Sequence, residues 1–277
     1  MRIVSSPFLE VAIQAALASG NIQKKYFGRV KNIQFKSKTF LNLVTEVDHQ
    51  CEKKILKIIQ SHFAHHSFWG EESGKKIISQ QWIWVVDPLD GTTNYAHSYP
   101  FFCTSIALLK DGQPYLGVIY DALRNELFTA ETTHGSYLNK KAIHVSTITS
   151  IEKSLLCTGF SYNIRDTHYN FENFKNMVLQ SQGVRRDGSA ALNLAYIAAG
   201  RFDGFWERYL QPWDMAAGIL LIQEAGGKIS DISGKPFNLF HQNIVATNGK
   251  IHSKLLRELL KGADEKLWMK RFQNKML

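Results

Sequence analysis

The chain has 277 residues, 44% of them apolar and 21% charged, the proportions of an ordinary globular protein able to bury a sizeable core in one large domain or two closely packed ones. Its longest apolar windows, such as Met215–Ile222, end at charge or glycine well short of a membrane span, and a proline and a glutamate interrupt the first ten residues where a secretory signal needs an apolar run, so a cytoplasmic protein is expected. An excess of 33 basic over 24 acidic residues gives a net charge of +9, which favours anionic partners without choosing between a phosphorylated small molecule and a nucleic acid.

Pro7 to about Tyr26 carries apolar residues at helical spacing and ends before Gly28. The stretch Leu41–Asp48 leads into a second amphipathic helix holding Cys51, Ile55, Ile58 and Ile59, and Thr45 with Asp48 has the spacing of a capping box. From Gln81 the period changes to that of strands: Trp82–Val86, Phe102–Leu109, Tyr115–Tyr120, Glu126–Thr129 and Ala142–Val145, separated by turns such as Asp111-Gly112 and Asn139-Lys140-Lys141. After about Ser150 the pattern alternates. Helices are expected at Phe171–Gln180, Ser189–Ala199, Asp214–Glu224 and Ile251–Lys261, and strands at Phe202–Trp206, Lys228–Asp231 and Ile244–Ala246. The reading is therefore an α/β protein: an α+β half over residues 1–147, an α/β half over 148–277, and a ligand site at the seam. Cys51, Cys103 and Cys157 are too few and too scattered for a disulfide framework or zinc site and read as buried small residues.

The segment WIWVVDPLDGTTN, residues 82–94, drives an apolar strand into Asp87 and Asp90, with Pro88 and Gly91 marking its end. Two acids so placed repel each other unless a cation is near. Glu71-Glu72 follows a Trp-Gly pair, and Asp214 opens an apolar helix; alone, the first suits a solvated loop and the second a helix cap. Together, Glu71, Asp87, Asp90 and Asp214 offer enough anionic oxygen for two or more Mg²⁺ ions. Gly91-Thr92-Thr93 would begin a helix whose amides grip phosphate, and a Thr92 hydroxyl oriented by Asp48 could position and deprotonate a water. His97, in a turn ahead of Pro100, reads as a loop residue, and the His62, His65 and His66 tract as a helix end, because oxygen-loving cations do not select histidine.

These segments resemble the inositol monophosphatase family of Mg²⁺-dependent, lithium-sensitive phosphatases. Two stretches carry the likeness most fully, WVVDPLDGTTNYAHSYPFFCTSIAL from Trp84 and WDMAAGILLIQEAGG from Trp213, with NLVTEVD from Asn42, GEES from Gly70 and RRDGSAALNLAYIAAGRFDGFWE from Arg185 in the same order. The resemblance implies the layered αβαβα sugar-phosphatase sandwich, usually a homodimer, with two to three Mg²⁺ per site. It implies Glu71, Asp87 and the Leu89 carbonyl as ligands of one ion, Asp87, Asp90 and Asp214 of another, and Glu71 near a third. Thr92 with Asp48 and Glu71 would serve the nucleophilic water, the Gly91 and Thr92 amides the phosphate, and Asp90, Ala190, Glu207 and Asp214 the hydroxyls of a phosphorylated polyol. The expected reaction is hydrolysis of inositol monophosphate. The alternatives are a broader sugar phosphatase such as a fructose-1,6-bisphosphatase, or a bacterial member acting mainly by binding the transcription or ribosome-assembly machinery. Lys36 and Lys38 are both candidates for a mobile-loop lysine, and the basic tail 262–277 extends past the family's usual end.

Overall fold

The computed structural model describes residues 6–30, 33–35, 43–162, 164 and 170–262; Lys36, Lys38 and the tail beyond Gly262 lie outside them. Helices α1 (Pro7–Tyr26) and α2 (Glu46–His62) flank a short β1–β2 ribbon (Ile33–Phe35, Leu43–Thr45). Next come β3 (Ser67–Gly70), β4 (Gly74–Lys76), β5 (Trp82–Asp90), α3 (Thr92–Ala96), β6 (Cys103–Lys110), β7 (Gln113–Asp121), β8 (Glu126–Glu131), β9 (Ser136–Leu138) and β10 (Lys141–Ala142). These strands form an eight-stranded sheet in the order β10-β9-β8-β7-β6-β5-β3-β4, an antiparallel meander except where β3 runs parallel to β5. The remainder comprises β11 (Leu155–Thr158), α4 (Phe171–Gln180), β12 (Gly183–Arg185), α5 (Ala190–Ala198), β13 (Gly204–Arg208), α6 (Pro212–Glu224), β14 (Lys228–Ser230), β15 (Asn243–Thr247) and α7 (His252–Gly262). Its strands make a five-stranded mixed sheet, β12-β11-β13-β15-β14.

Strand alternation sorts the side chains into layers. On β5, Trp84 and Val86 face α1 and α2, whereas Val85 faces α5 and α6. On β13 and β15, Phe205, Ile244 and Ala246 join that central layer, while Trp206 and Val245 turn outward to α7. The order is thus helix pair, large sheet, helix pair, small sheet, helix pair: the layered αβαβα sandwich expected. The central pair α5–α6 is hydrophobic almost all round, as a helix sheathed by two sheets must be. It sits close to the large sheet because β7 presents Gly117 there; a Cβ at that position would lie 2.7 Å from the Ala217 carbonyl oxygen.

Several boundaries differ from the sequence reading. The expected strand Ala142–Val145 is only the two-residue β10, because Asn139 and Lys140 both adopt positive φ and close a tight hairpin from β9. Beyond it Val145 leaves the sheet and donates its amide to Ala225 instead. The expected strand Phe202–Trp206 lies two residues later, at Gly204–Arg208. Strands β3, β4, β9, β11 and β12 are too short to show a period. His66 lies beyond α2, stacked on Trp82 with its Nδ1 3.1 Å from Trp84 Nε1. His97 is the exposed C-cap of α3, and all three cysteines are buried thiols.

Gly117→Val is expected to force β7 and α6 apart, costing about 1–3 kcal/mol and lowering the melting temperature by about 3–10 °C in a thermal melt. An unchanged melting temperature would show that the contact is not tight.

Candidate active site

A regular strand would send Asp87 and Asp90, three residues apart, to opposite faces. Here the pairing of β5 with β6 slips between them: Asp87 opposes Ser105 and Asp90 opposes Cys103, so β5 holds one extra residue. The bulge turns both carboxylates to the same side, and Pro88, which has no N–H to give the ladder, sits within it. The distortion is pinned from two directions. Asp87 Oδ1 accepts the Leu89 amide at 2.9 Å, and the Pro88 carbonyl accepts from Gln23 Nε2 of α1 at 2.9 Å and from Thr104 Oγ1 of β6 at 3.1 Å. Gly91 completes the exit at φ +97, where a Cβ would lie 2.9 Å from the Phe101 carbonyl oxygen, so only glycine fits.

Asp214 arrives from the start of α6. Taken by itself in the sequence it read as a cap, and it is one: Oδ2 accepts the Gln211 amide at 2.7 Å. One of its oxygens nevertheless lies with one each from Asp87 and Asp90 in a set whose members are all within 4.8 Å of one another, the metal-suited cluster found among the described residues. Glu71 follows β3, lines the same cavity and adds its field to those of the three aspartates. It is placed by Glu52, a residue the sequence reading passed over. The Glu52 carboxylate accepts the amides of Glu72 and Ser73 at 2.9 and 2.8 Å and packs against Gly70, where a Cβ would meet it at 2.3 Å. The signal was present: Asp48, Glu52, Ile55 and Ile59 share one face of α2, and a buried glutamate among core residues needs a reason.

Asp48 does not line the cavity but stands behind it. Its Oδ2 completes the capping box with the Thr45 amide at 2.9 Å and hydroxyl at 2.5 Å, leaving Oδ1 to accept from Thr92 Oγ1 at 2.9 Å. Thr92 also lies 3.0 Å from the Leu89 carbonyl oxygen. Asp90 Oδ2 is held by Ser189 Oγ at 2.6 Å and the Ala191 amide at 2.7 Å, the opening of α5. Ala190 lies between those two donors and lines the cavity, as does Leu89. Glu207, from β13, forms part of the opposite wall with its carboxyl tucked against Gly159, where any Cβ would collide with it. Asn94 is another residue missed: its amide ties α3 to the carbonyls of Phe101 and Asp187, both at 2.7 Å. The cavity these groups enclose is about 370 Å³.

Burying so many acids together raises their proton affinities. Desolvation, then the neighbouring carboxylates, pushes Asp87 and Asp214 well above the usual range. Burial raises Asp90 to about 6 against the pull of its hydrogen bonds, and Glu207 to about 8 against the nearby Arg186. Asp48 is also raised by burial. Convergent, electrostatically frustrated carboxylate oxygens suit a hard divalent cation, which relieves the repulsion and favours the ionised form. In metal-free protein the folded state holds more protons than the unfolded chain between about pH 4 and pH 8. Stability is therefore present at the acid end of that window and lost as pH rises through it. Melting temperatures measured in chelator should fall from pH 5 to pH 8, and the stabilisation on adding Mg²⁺ should grow over the same range. A pH-independent response to Mg²⁺ would show that these carboxylates are not its ligands.

The comparisons agree with this architecture. The chain matches the inositol monophosphatase family over residues 5–264. It is 46% identical to the inositol-1-monophosphatase of Synechocystis sp. over 254 residues, 91% of this chain and 88% of that protein. It is 42% identical to the Nus factor SuhB of Pseudomonas aeruginosa, covering 90% and 94% of the two chains. The solved structure of inositol monophosphatase from Anabaena (Nostoc) sp. superposes with a TM-score of 0.84 at 44% identity, covering 92% of this chain and 95% of that one. The family is generally metal-dependent, and the acidic cluster gives a cation its place here. The chain is a phosphatase of the inositol monophosphatase family.

Proposed function

We propose that the enzyme hydrolyses myo-inositol 1-phosphate and related polyol monophosphates with Mg²⁺ as cofactor. The observation that carries this reading is the convergence of Asp87, Asp90 and Asp214 beside the Thr92–Asp48 pair, in a cavity whose other wall presents Glu207. Asp87, Asp90, Asp214, Glu71 and the Leu89 carbonyl would hold two to three Mg²⁺ ions, which when bound supply charge stabilisation for the phosphoryl transfer and its leaving oxygen. The backbone amides of Gly91 and Thr92 orient the phosphate. Thr92 Oγ1 accepts a proton from the attacking water as its own hydrogen bond to Asp48 Oδ1 draws the hydroxyl proton away. Asp48, raised by burial, is suited to receive that proton. Glu207, Asp214, Asp90 and the Ala190 backbone orient the polyol hydroxyls, and the Glu207 position on a regular strand fixes its reach.

Phosphate release measured on inositol 1-phosphate, fructose 1,6-bisphosphate, histidinol phosphate and adenosine 3′,5′-bisphosphate tests the substrate. Fast turnover of another compound beside negligible turnover of the first would overturn it. Thr92→Ala is expected to lower kcat by about 10²-fold while leaving the Mg²⁺ concentration for half-maximal rate unchanged. Full recovery of the rate at high Mg²⁺ would assign Thr92 to metal binding instead.

The 42% identity to a Nus factor supports a second reading, in which the chain's main work is association with the transcription machinery. Asp87→Asn separates the two: it should abolish hydrolysis, and a cell that still functions normally with that variant would favour binding over catalysis.

A further inference from the structure

We propose that Trp69 is a positioning residue for the metal cluster: its ring, packed edge-to-face with Trp213, sets how far Glu71 stands from Asp214. The inference rests on the reading above that those two carboxylates serve one Mg²⁺ cluster. Trp69 lies two residues before Glu71, and Trp213 one residue before Asp214, so each indole is built into the turn that delivers a carboxylate. Their ring centroids are 5.7 Å apart at 85°, the edge-to-face geometry that aromatic quadrupoles favour. Trp213 also lines the cavity.

The two carboxylates otherwise hang from different layers. The Glu71 turn belongs to the large sheet, where its amide donates to the Val86 carbonyl at 3.1 Å and Glu52 holds the amides of the next two residues. Asp214 belongs to α6, whose first turn is tied to that sheet by Ser105 Oγ donating to the Trp213 carbonyl at 3.1 Å. Those bonds fix each turn against its own neighbours, and none of them joins one turn to the other. The indole pair does. Alternation on β3 sends Phe68 to the outer helix pair and Trp69 to the central layer, towards α6. Two further groups hold the ring there. Lys75, its cross-strand partner on β4, places its ammonium 3.7 Å from the ring centroid, and Phe240, from the segment between β14 and β15, stacks on it at 6.3 Å and 10°. An indole held by neighbours from β4, α6 and the small sheet gives the Glu71 turn little freedom to drift. Drift matters because the converging carboxylates repel one another, and Mg²⁺ tolerates little departure from octahedral ligand distances.

The test compares wild type with Trp69→Phe, which keeps a ring to meet Trp213, and Trp69→Leu, which keeps apolar bulk without a ring. Each is shown by thermal melt in chelator to be folded. Mg²⁺ binding is then measured by calorimetric titration, and the Mg²⁺ dependence of phosphate release is followed on inositol 1-phosphate. Trp69→Leu should weaken Mg²⁺ binding about tenfold and Trp69→Phe by less than about threefold, with kcat at saturating Mg²⁺ within about twofold of wild type. Unchanged Mg²⁺ affinity in Trp69→Leu beside a lowered melting temperature would make Trp69 a core residue and overturn the inference. A fall in kcat that saturating Mg²⁺ does not restore would overturn it too, as would equal losses of affinity in the two variants. If wild type binds no Mg²⁺ at all, it is the underlying reading that fails.

Discussion

The bulge between Asp87 and Asp90 is the constraint on which the rest of the site depends. One additional residue in β5 places two carboxylates on one side of a strand that is otherwise buried on both faces, and the fold then brings Asp214 and Glu71 to meet them. That convergence is unfavourable by itself, since like charges in a desolvated cavity raise one another's proton affinity. The protein holds it by tying the bulge to α1 and β6 through the Pro88 carbonyl and by supporting the Glu71 loop from beneath with Glu52. The outcome is a site pre-organised for cations and strained without them.

Helix N-termini supply the second support. Asp48, Asp90 and Asp214 each accept hydrogen bonds from backbone amides or hydroxyls where α2, α5 and α6 begin. These positive helix ends face the cavity from different layers of the sandwich and partly offset the buried negative charge. Asp48 divides its oxygens, Oδ2 to its helix and Oδ1 to Thr92, while Asp90 and Asp214 combine a helix-end role with membership of the metal-suited cluster. For Asp214 the helix cap and the metal-suited carboxylate are one and the same group.

The walls of the cavity come from both sheets and from the helix pair between them. Asp87, Asp90 and the Gly91 turn ride on the large sheet and Asp214 on α6, whereas Glu207 comes from β13 of the small sheet. Changes in the small sheet's loops can therefore reshape one wall of the cavity without disturbing the bulge. Tyr209, which lines the cavity just after β13, lies in the left-handed region at φ +67 and shows how sharply the chain turns there.

The longer elements were legible because their periods are clean: α1, α2, strands β5 to β8 and α6 stand close to where the sequence placed them. The carboxylates were legible because acids at the ends of apolar runs are costly without a purpose. The short strands β3, β11 and β12 were not, since three or four residues cannot display an alternation, and only their neighbours in the sheet define them. Glu52 and Asn94 escaped because each acts through a partner distant in the chain: the Glu71 loop and the Asp187 carbonyl. What the sequence determined by itself was the chemistry, because residue types, their local spacing and the glycine and proline around Asp87 are local properties. What only the tertiary structure decided was the geometry: which oxygens converge and which of them helix ends already occupy. Those depend on contacts between segments a hundred residues apart, which no local pattern encodes.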